Sequence, residues 1–362
     1  MNIFFDYQAF EQPYGGISRY FCELITGVNN EAQHHAHLSL LWSNNVHLRE
    51  YGIPVRSYPF IKRHRLFNKT NRLYNRLDAT VNKYDIYHTT YFNDFLVPYI
   101  GSSPCVTTFY DMTYERLSHR VAELSNDKWI IPQKRKIAQR ASHLIAISES
   151  TKQDMVEFLG VPPEKITVTY LSSPFVQNHE SLTDKTTDPP YLLYVGKRYE
   201  YKNFIPFLKA IAHVLIRHQV VLICAGGGDL TSQEKSIIQE LALDKLVKYK
   251  EINDTILQDL YKRAISFVFP SLYEGFGIPV LEAFACNCPC VVSNTSSLPE
   301  VAGEAAIYMD PTDSGSMAHA TEKSILDNDL RNKLIKCGRQ QLSRFSWQRT
   351  VDDTLDVYKK LI

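Results

Sequence analysis

Phe269-Pro270-Ser271-Leu272-Tyr273-Glu274-Gly275-Phe276-Gly277-Ile278-Pro279-Val280-Leu281-Glu282 is the stretch whose reading decides the fold. A short buried-strand run, Ser266 to Phe269, leads into it, and an apolar helical segment through Ala285 leads out. Strand, glycine loop and helix start thus follow in order. The backbone N–H groups of Gly275 to Ile278, with the positive end of a helix beginning near Pro279, favour a phosphate, and the glycines let a ligand approach the backbone. Glu274 sits in the loop and Glu282, eight residues on, about one turn into the helix. The pair would bracket a ligand rather than share a proton. A helix cap beside a surface carboxylate is the plainer alternative for such a loop.

On both sides of this stretch, short β-branched or aromatic runs alternate with longer amphipathic segments, the pattern of βαβ units and a parallel sheet. Upstream, Asn2 to Phe5, His37 to Leu41, Ile86 to His88, Cys105 to Phe109, His143 to Ala146 and Ile166 to Tyr170 read as strands. Ser148 reads as the N-cap of a helix from Glu149 to Leu159, ended by Gly160, Pro162 and Pro163. A polar stretch with little to bury, residues 177–190, reads as a linker. Further strands follow at Tyr191 to Val195, Val220 to Cys224, Val247 to Lys250, Ser266 to Phe269 and Pro289 to Ser293. The expected organisation is α/β, with one nucleotide-binding-type domain over 1–176 and a second over 191–345. The amphipathic segment 346–362, with Val351, Leu355, Val357, Tyr358 and Leu361 on a shared face, is the candidate to pack back across the linker. No period of 20 to 50 residues is present, so solenoids and propellers drop out.

Composition narrows the function classes. The 362 residues carry 40 Lys plus Arg against 39 Asp plus Glu, a formal charge of +1, too balanced for a surface built to hold nucleic acid. No stretch offers about 18 consecutive apolar residues, and the first twelve lack the charged start and apolar run of a secretory signal, so a cytoplasmic protein is expected. Seven scattered cysteines make a disulfide framework improbable. Cys286, Cys288 and Cys290 are spaced too closely for the common zinc pattern and read as small buried residues, so no metal is expected.

The run from Phe269 to Glu300, including Pro279, Ala283, Asn294, Ser297, Leu298 and Pro299, resembles the Glu-x7-Glu region of the GT4 family of retaining glycosyltransferases. That resemblance implies the GT-B fold, with two facing Rossmann-like domains and a C-terminal helix crossing back to the first. It implies an acceptor-binding first domain and a second that binds the nucleotide-sugar. It also implies that Glu274 meets the transferred sugar and Glu282 holds the ribose hydroxyls, with Gly275, Phe276, Gly277 and Ile278 at the donor. Tyr194-Val195-Gly196-Lys197-Arg198 and Lys202-Asn203 look like the family's diphosphate clamp, with Lys197 and Lys202 in the basic places. Many relatives have Arg at the first of these, so Arg198 is a second candidate there. Gly15 and Gly16 resemble the family's N-terminal glycine loop. Where relatives often show His-Asp, this chain has Tyr110 and Asp111, and Asp111 is the better candidate catalytic residue.

Retention in this family is usually attributed to front-face attack, in which the departing phosphate oxygen takes the acceptor's proton; the site must then stabilise charge rather than supply a strong base. The expected partners are a nucleotide-sugar, GDP-mannose first with a UDP-sugar as rival, and a glycan or lipid-linked saccharide of bacterial surface-polysaccharide synthesis. A catalytically silent binding subunit remains the competing reading. Separately, no Asp or Glu occurs from Tyr51 to Leu77, while seven basic residues accumulate from Arg56 to Arg76. If residues 65 to 77 are helical, Arg65, Lys69, Arg72 and Arg76 form one stripe and Leu66, Leu73 and Leu77 another. Two readings stay open: contact with an anionic membrane or lipid-linked acceptor, at the inner face of the plasma membrane, or a solvated helix whose leucines pack on its own sheet.

Overall fold

The inner strands, such as Cys105–Phe109, Ser266–Phe269 and Cys290–Ser293, are buried on both faces, which is the condition for parallel sheets covered by helices. The computed structural model describes residues 1–58, 64–121, 124, 129–176 and 189–362. Most of the expected linker, residues 177–188, and Phe60, Lys62 and Arg63 of the basic run lie outside the described residues.

The chain divides into two units. The first comprises Met1–Arg116, Asn126–Leu171 and Ser346–Ile362; the second comprises Leu117–Ser125 and Ser172–Phe345. The division thus falls at Leu171 rather than at residue 176, and it takes a short segment of the first 176 residues into the second unit.

The first unit holds β1 (Asn2–Phe5), β2 (His35–Leu38), β3 (Ile86–Thr89), β4 (Cys105–Phe109), β5 (His143–Ala146) and β6 (Ile166–Val168), all parallel, in the order β2-β1-β3-β4-β5-β6. The direction in which strands are added reverses between β1 and β3, and ligands bind outside the carboxyl ends of strands at such a switch point. Helix Glu149–Leu159 begins where expected: the Ser148 hydroxyl accepts the Thr151 N–H at 3.0 Å, and Gly160 closes it in a left-handed conformation. Helix Trp347–Lys359 belongs to this unit, with Val351, Leu355, Val357 and Tyr358 buried. Gly27 lets it approach helix Gly16–Asn30, since a Cβ there would collide with Val351. A buried polar chain ties the same helix to the sheet. Tyr358 OH is hydrogen-bonded to His88 Nδ1 (2.5 Å), His88 Nε2 to Thr108 Oγ1 (2.9 Å), and Thr108 to Tyr20 OH (3.2 Å). Burial drives the His88 imidazole down to a pKa of about 3.

The second unit holds β7 (Tyr191–Val195), β8 (Val221–Ala225), β9 (Val247–Lys250), β10 (Ser266–Phe269), β11 (Cys290–Ser293) and β12 (Ala306–Met309). Their order, β12-β11-β10-β7-β8-β9, is the Rossmann arrangement, with its switch point between β7 and β10. Its core joins Leu192, Tyr194, Leu222 and Val268 of the sheet to Phe207, Leu208, Ile211 and Leu215 of helix Phe204–His218. Cys286, Cys288 and Cys290 are buried and form no disulfide. The edge strand β12 was not expected from the sequence, and β2 begins two residues earlier than expected because the His35 N–H pairs with the Met1 carbonyl.

Candidate active site

In the second unit the two strands flanking the switch point deliver the candidate donor residues. β7 ends in Gly196-Lys197, and β10 ends in the loop Pro270 to Gly277. Between them lies a one-turn 3-10 helix, Glu200–Lys202, closed by Asn203 in the left-handed region with its side chain donating to the Pro311 carbonyl at 2.7 Å. The Leu272 N–H donates to the Tyr201 carbonyl at 2.9 Å, which stitches this turn to the loop. As a result Lys202 Nζ lies 2.6 Å from Glu274 Oε1, with the ammonium also 5.5 Å from the Phe269 ring centre. Both side chains are mostly shielded from solvent. Lys197 is exposed, its ammonium over the Tyr199 ring.

The glycine loop is held by hydroxyls of the next βα turn. Ser296 Oγ accepts from the Glu274 N–H at 2.9 Å; Ser297 Oγ donates to the carbonyls of Glu274 and Phe276, each at 2.8 Å; Thr295 Oγ1 donates to Leu272 O at 3.2 Å. Phe276 is buried edge-on to Phe345. Gly277 has φ +110, and a Cβ there would sit 2.8 Å from Leu298 Cδ2, so both conformation and space demand glycine. Helix Ile278–Ala285 starts immediately after it, with no side-chain cap at Gly277. Glu282 lies inside that helix, largely buried, where Tyr261 OH donates to its Oε2 at 3.1 Å.

Arg198 takes no place in this cluster. Its Nε donates to Glu234 Oε1 at 2.7 Å and its remaining nitrogens to the carbonyls of Gly226, Gly228 and Asp229, with the side chain 4% exposed. It organises the 226–229 loop, its donors engaged there rather than in the cluster of Lys202 and Glu274. Gly227 makes that loop possible, because a Cβ at its φ of +74 would collide with the Gly196 carbonyl.

In the first unit, Gly15 caps helix Gly16–Asn30 with no side-chain bond, and a Cβ at Gly15 or Gly16 would meet open space. Asp111 follows β4. Its carbonyl and Oδ1 accept from Lys134 Nζ at 2.8 and 3.4 Å, and Oδ1 accepts the Thr113 N–H at 3.1 Å. Desolvation pushes the Asp111 carboxyl up, but the Lys134 ammonium and these hydrogen bonds outweigh it and hold the group below the usual carboxylate range. Lys134 is itself fully buried, 3.1 Å from Glu115 Oε2. Tyr110 is a core residue: it is buried, and its hydroxyl donates to Thr90 O at 2.9 Å.

Sequence reasoning missed several of these partners. Asp6, directly after β1, accepts from Thr90 and Gln8 and closes the switch point of the first unit; burial raises its pKa to about 6. Ser296 and Tyr261 carried no sequence signal, whereas an acid directly after a buried strand is a signal that points to Asp6.

Two doubly wound α/β units, the second with its polar cluster at a Rossmann switch point, define the GT-B class of fold. HepE of Anabaena, solved with UDP and glucose, superposes with a TM-score of 0.73 at 18% identity over 99% of each chain. A family model described as glycosyltransferase family 4 matches residues 14–171, and one described as glycosyl transferases group 1 matches 177–341. The chain belongs to the GT4 family of glycosyltransferases. O-antigen chain mannosyltransferase B of Escherichia coli is 28% identical over 241 residues, 61% of each chain. O-antigen chain mannosyltransferase RfbU of Salmonella typhimurium is 32% identical over 183 residues, 50% of each. The match therefore spans between half and three fifths of the length of these relatives.

Proposed function

We propose that this protein transfers a hexose from a nucleotide-sugar to a glycan or lipid-linked saccharide in surface-polysaccharide synthesis, with retention of configuration and with GDP-mannose as donor. The observation that carries this reading is the pairing of Lys202 with Glu274 at the switch point of the second unit, beside a loop of glycines and an uncapped helix start. In the proposed reaction Lys197, Lys202 and the amides of Gly275 to Ile278 hold the diphosphate and take up the charge that grows on it as the glycosidic bond breaks. Glu274 orients the sugar hydroxyls and favours the cationic ring. Glu282, fixed by Tyr261, receives the ribose. The departing phosphate oxygen takes the acceptor's proton, so neither a strong base nor a metal is required. Asp111, whose carboxyl the Lys134 ammonium holds below the usual carboxylate range, and the Gly15-Gly16 backbone are the first unit's proposed contribution to the reaction.

A mannosyl donor is favoured by the two O-antigen mannosyltransferase relatives, and a UDP-sugar is the rival. The deciding experiment measures thermal stability against GDP, UDP, ADP and dTDP, then sugar release from the matching nucleotide-sugar. A ligand at about 100 times its dissociation constant adds about 2.7 kcal/mol to the folded state. A shift with GDP and release from GDP-mannose is the expected result. A shift with UDP alone discards the mannosyl donor, and no shift with any of the four favours a silent binding subunit.

A further inference from the structure

Helix His64–Val81 is built inside out. Its inward face is polar: Asn71 Oδ1 accepts the N–H groups of Leu41 and Trp42 at 3.2 and 3.0 Å, and Asn75 Nδ2 donates to Ser39 O at 2.5 Å. Asp78 meets His37 Nε2 at 2.8 Å and Tyr84 OH at 2.9 Å. Asn71, Asn75 and Asp78 are all buried. Ala79 is buried and Phe67 packs on Tyr58 and Trp42, but four apolar residues point the other way: Leu66, Leu73, Leu77 and Val81 are 54, 58, 56 and 77% exposed. Leu66, Leu73 and Leu77, spaced seven and four residues apart, lie along one line of the helix. A surface helix in water buries its apolar stripe, and an exposed apolar strip rimmed by charge marks an interaction face.

The rim is of one sign. Arg65 and Lys69 are exposed, and Arg72 and Arg76 lie along the flank with their guanidinium groups 5.2 and 5.3 Å from the ring centres of Phe95 and Tyr99. The helix's sole acid, Asp78, is the one turned inward. A second copy of the same face would bring cations against cations, whereas a sheet of anionic headgroups over hydrocarbon suits the leucine line and its basic flank together.

We propose that helix His64–Val81 docks this protein on an anionic lipid bilayer, lying in the interface with Leu66, Leu73 and Leu77 inserted and Arg65 and Lys69 on the headgroups. Among the described residues no helix is long and apolar enough to cross a membrane. The docking is independent of the donor reading, because it needs neither nucleotide nor turnover.

The test is flotation of the full chain with phosphatidylcholine vesicles, with and without phosphatidylglycerol, at about 0.1 M salt. The protein is expected to float only with the anionic vesicles, less so as salt rises. A triple Leu66→Ser, Leu73→Ser, Leu77→Ser variant, and separately Arg65→Gln with Lys69→Gln, should each lose roughly tenfold or more in bound fraction. Every substituted side chain is solvent-exposed, and circular dichroism and melting temperature check that the variants remain folded. Failure of the parent to bind anionic vesicles would overturn the proposal, as would equal flotation of either variant. A parent dimer in sedimentation velocity that the leucine variant dissolves would overturn it in favour of a second copy.

Discussion

The ammonium of Lys202 sits 2.6 Å from the carboxylate of Glu274, although the two residues are 72 positions apart. The basic residue read as a diphosphate ligand and the acid read as a sugar ligand already neutralise each other. On the proposed roles, an incoming diphosphate would compete with Glu274 for Lys202, and the sugar with Lys202 for Glu274.

Glu274→Gln should accordingly lower turnover roughly a hundredfold or more while leaving affinity for the nucleoside diphosphate equal or tighter, since the freed ammonium faces the phosphate alone. Lys202→Met should weaken both. Calorimetric titration with the diphosphate, alongside turnover, separates the two. A tenfold loss of diphosphate affinity in Glu274→Gln would remove the competition.

Arg198→Met should act on stability. It leaves Glu234 and three loop carbonyls without their donor, and stranding one member of a buried ion pair costs about 3–5 kcal/mol. The fraction still folded should bind nucleotide as the parent does. A selective loss of nucleotide affinity with no drop in melting temperature would return Arg198 to the phosphate.

Ser297→Ala removes the donor to both Glu274 O and Phe276 O. A stability loss of about 1–3 kcal/mol and a lower turnover are expected, with the fall in kcat exceeding any rise in KM. Wild-type kinetics in the variant would show that the hydroxyl strap does not position the glycine loop.

The pH dependence of the first unit follows from His88. Its folded pKa of about 3 lies below the unfolded value near 6.5, so the unfolded chain binds the extra proton. This contribution is complete above pH 6.5 and is lost as pH falls toward 3, at up to about 1.4 kcal/mol per unit. Asp6, raised from 3.8 to about 6, works in the opposite direction over part of the same range, destabilising the fold as pH rises. The raw slope therefore mixes the two, and the comparison with His88→Asn isolates the histidine. From pH 6.5 to 5 the parent should lose about 2 kcal/mol more than the variant in urea unfolding. Parallel curves would show that His88 is charged in the fold.

Much of the architecture was legible because local signals agreed. Ser148 and Gly160 bound their helix as read, and the strands β1, β4, β5, β7, β9 and β10 fall where expected, β9 on the alternating Val247-Lys248-Tyr249-Lys250. The edge strand β12 was missed although Ala305 to Met309 is an unbroken apolar run; Ala306 to Tyr308 are only partly buried, as a sheet edge leaves them. At the site, glycine spacing located the loop, but the contact between Lys202 and Glu274 arises from a backbone stitch, Leu272 to Tyr201, that no periodicity encodes. In the sequence Arg198 reads only as a second candidate for the diphosphate clamp, because the carbonyls it meets are some thirty residues away. For helix His64–Val81 the sequence leaves two readings open, and the one in which its leucines pack on the sheet is contradicted by their exposure. Asn71 and Asn75 take the inward face instead, capping backbone groups of the segment after β2.

Helix Trp347–Lys359 closes a unit that opens at residue 1, and this sets a timetable for biosynthesis. While the ribosome is still making this helix, the groove along Gly27 stays uncovered and the imidazole of His88 lacks Tyr358. The stretch Ser172–Phe345 is complete before then. The half begun first is therefore finished last, so the nascent chain carries an unfinished amino-terminal half until residue 359 has left the exit tunnel.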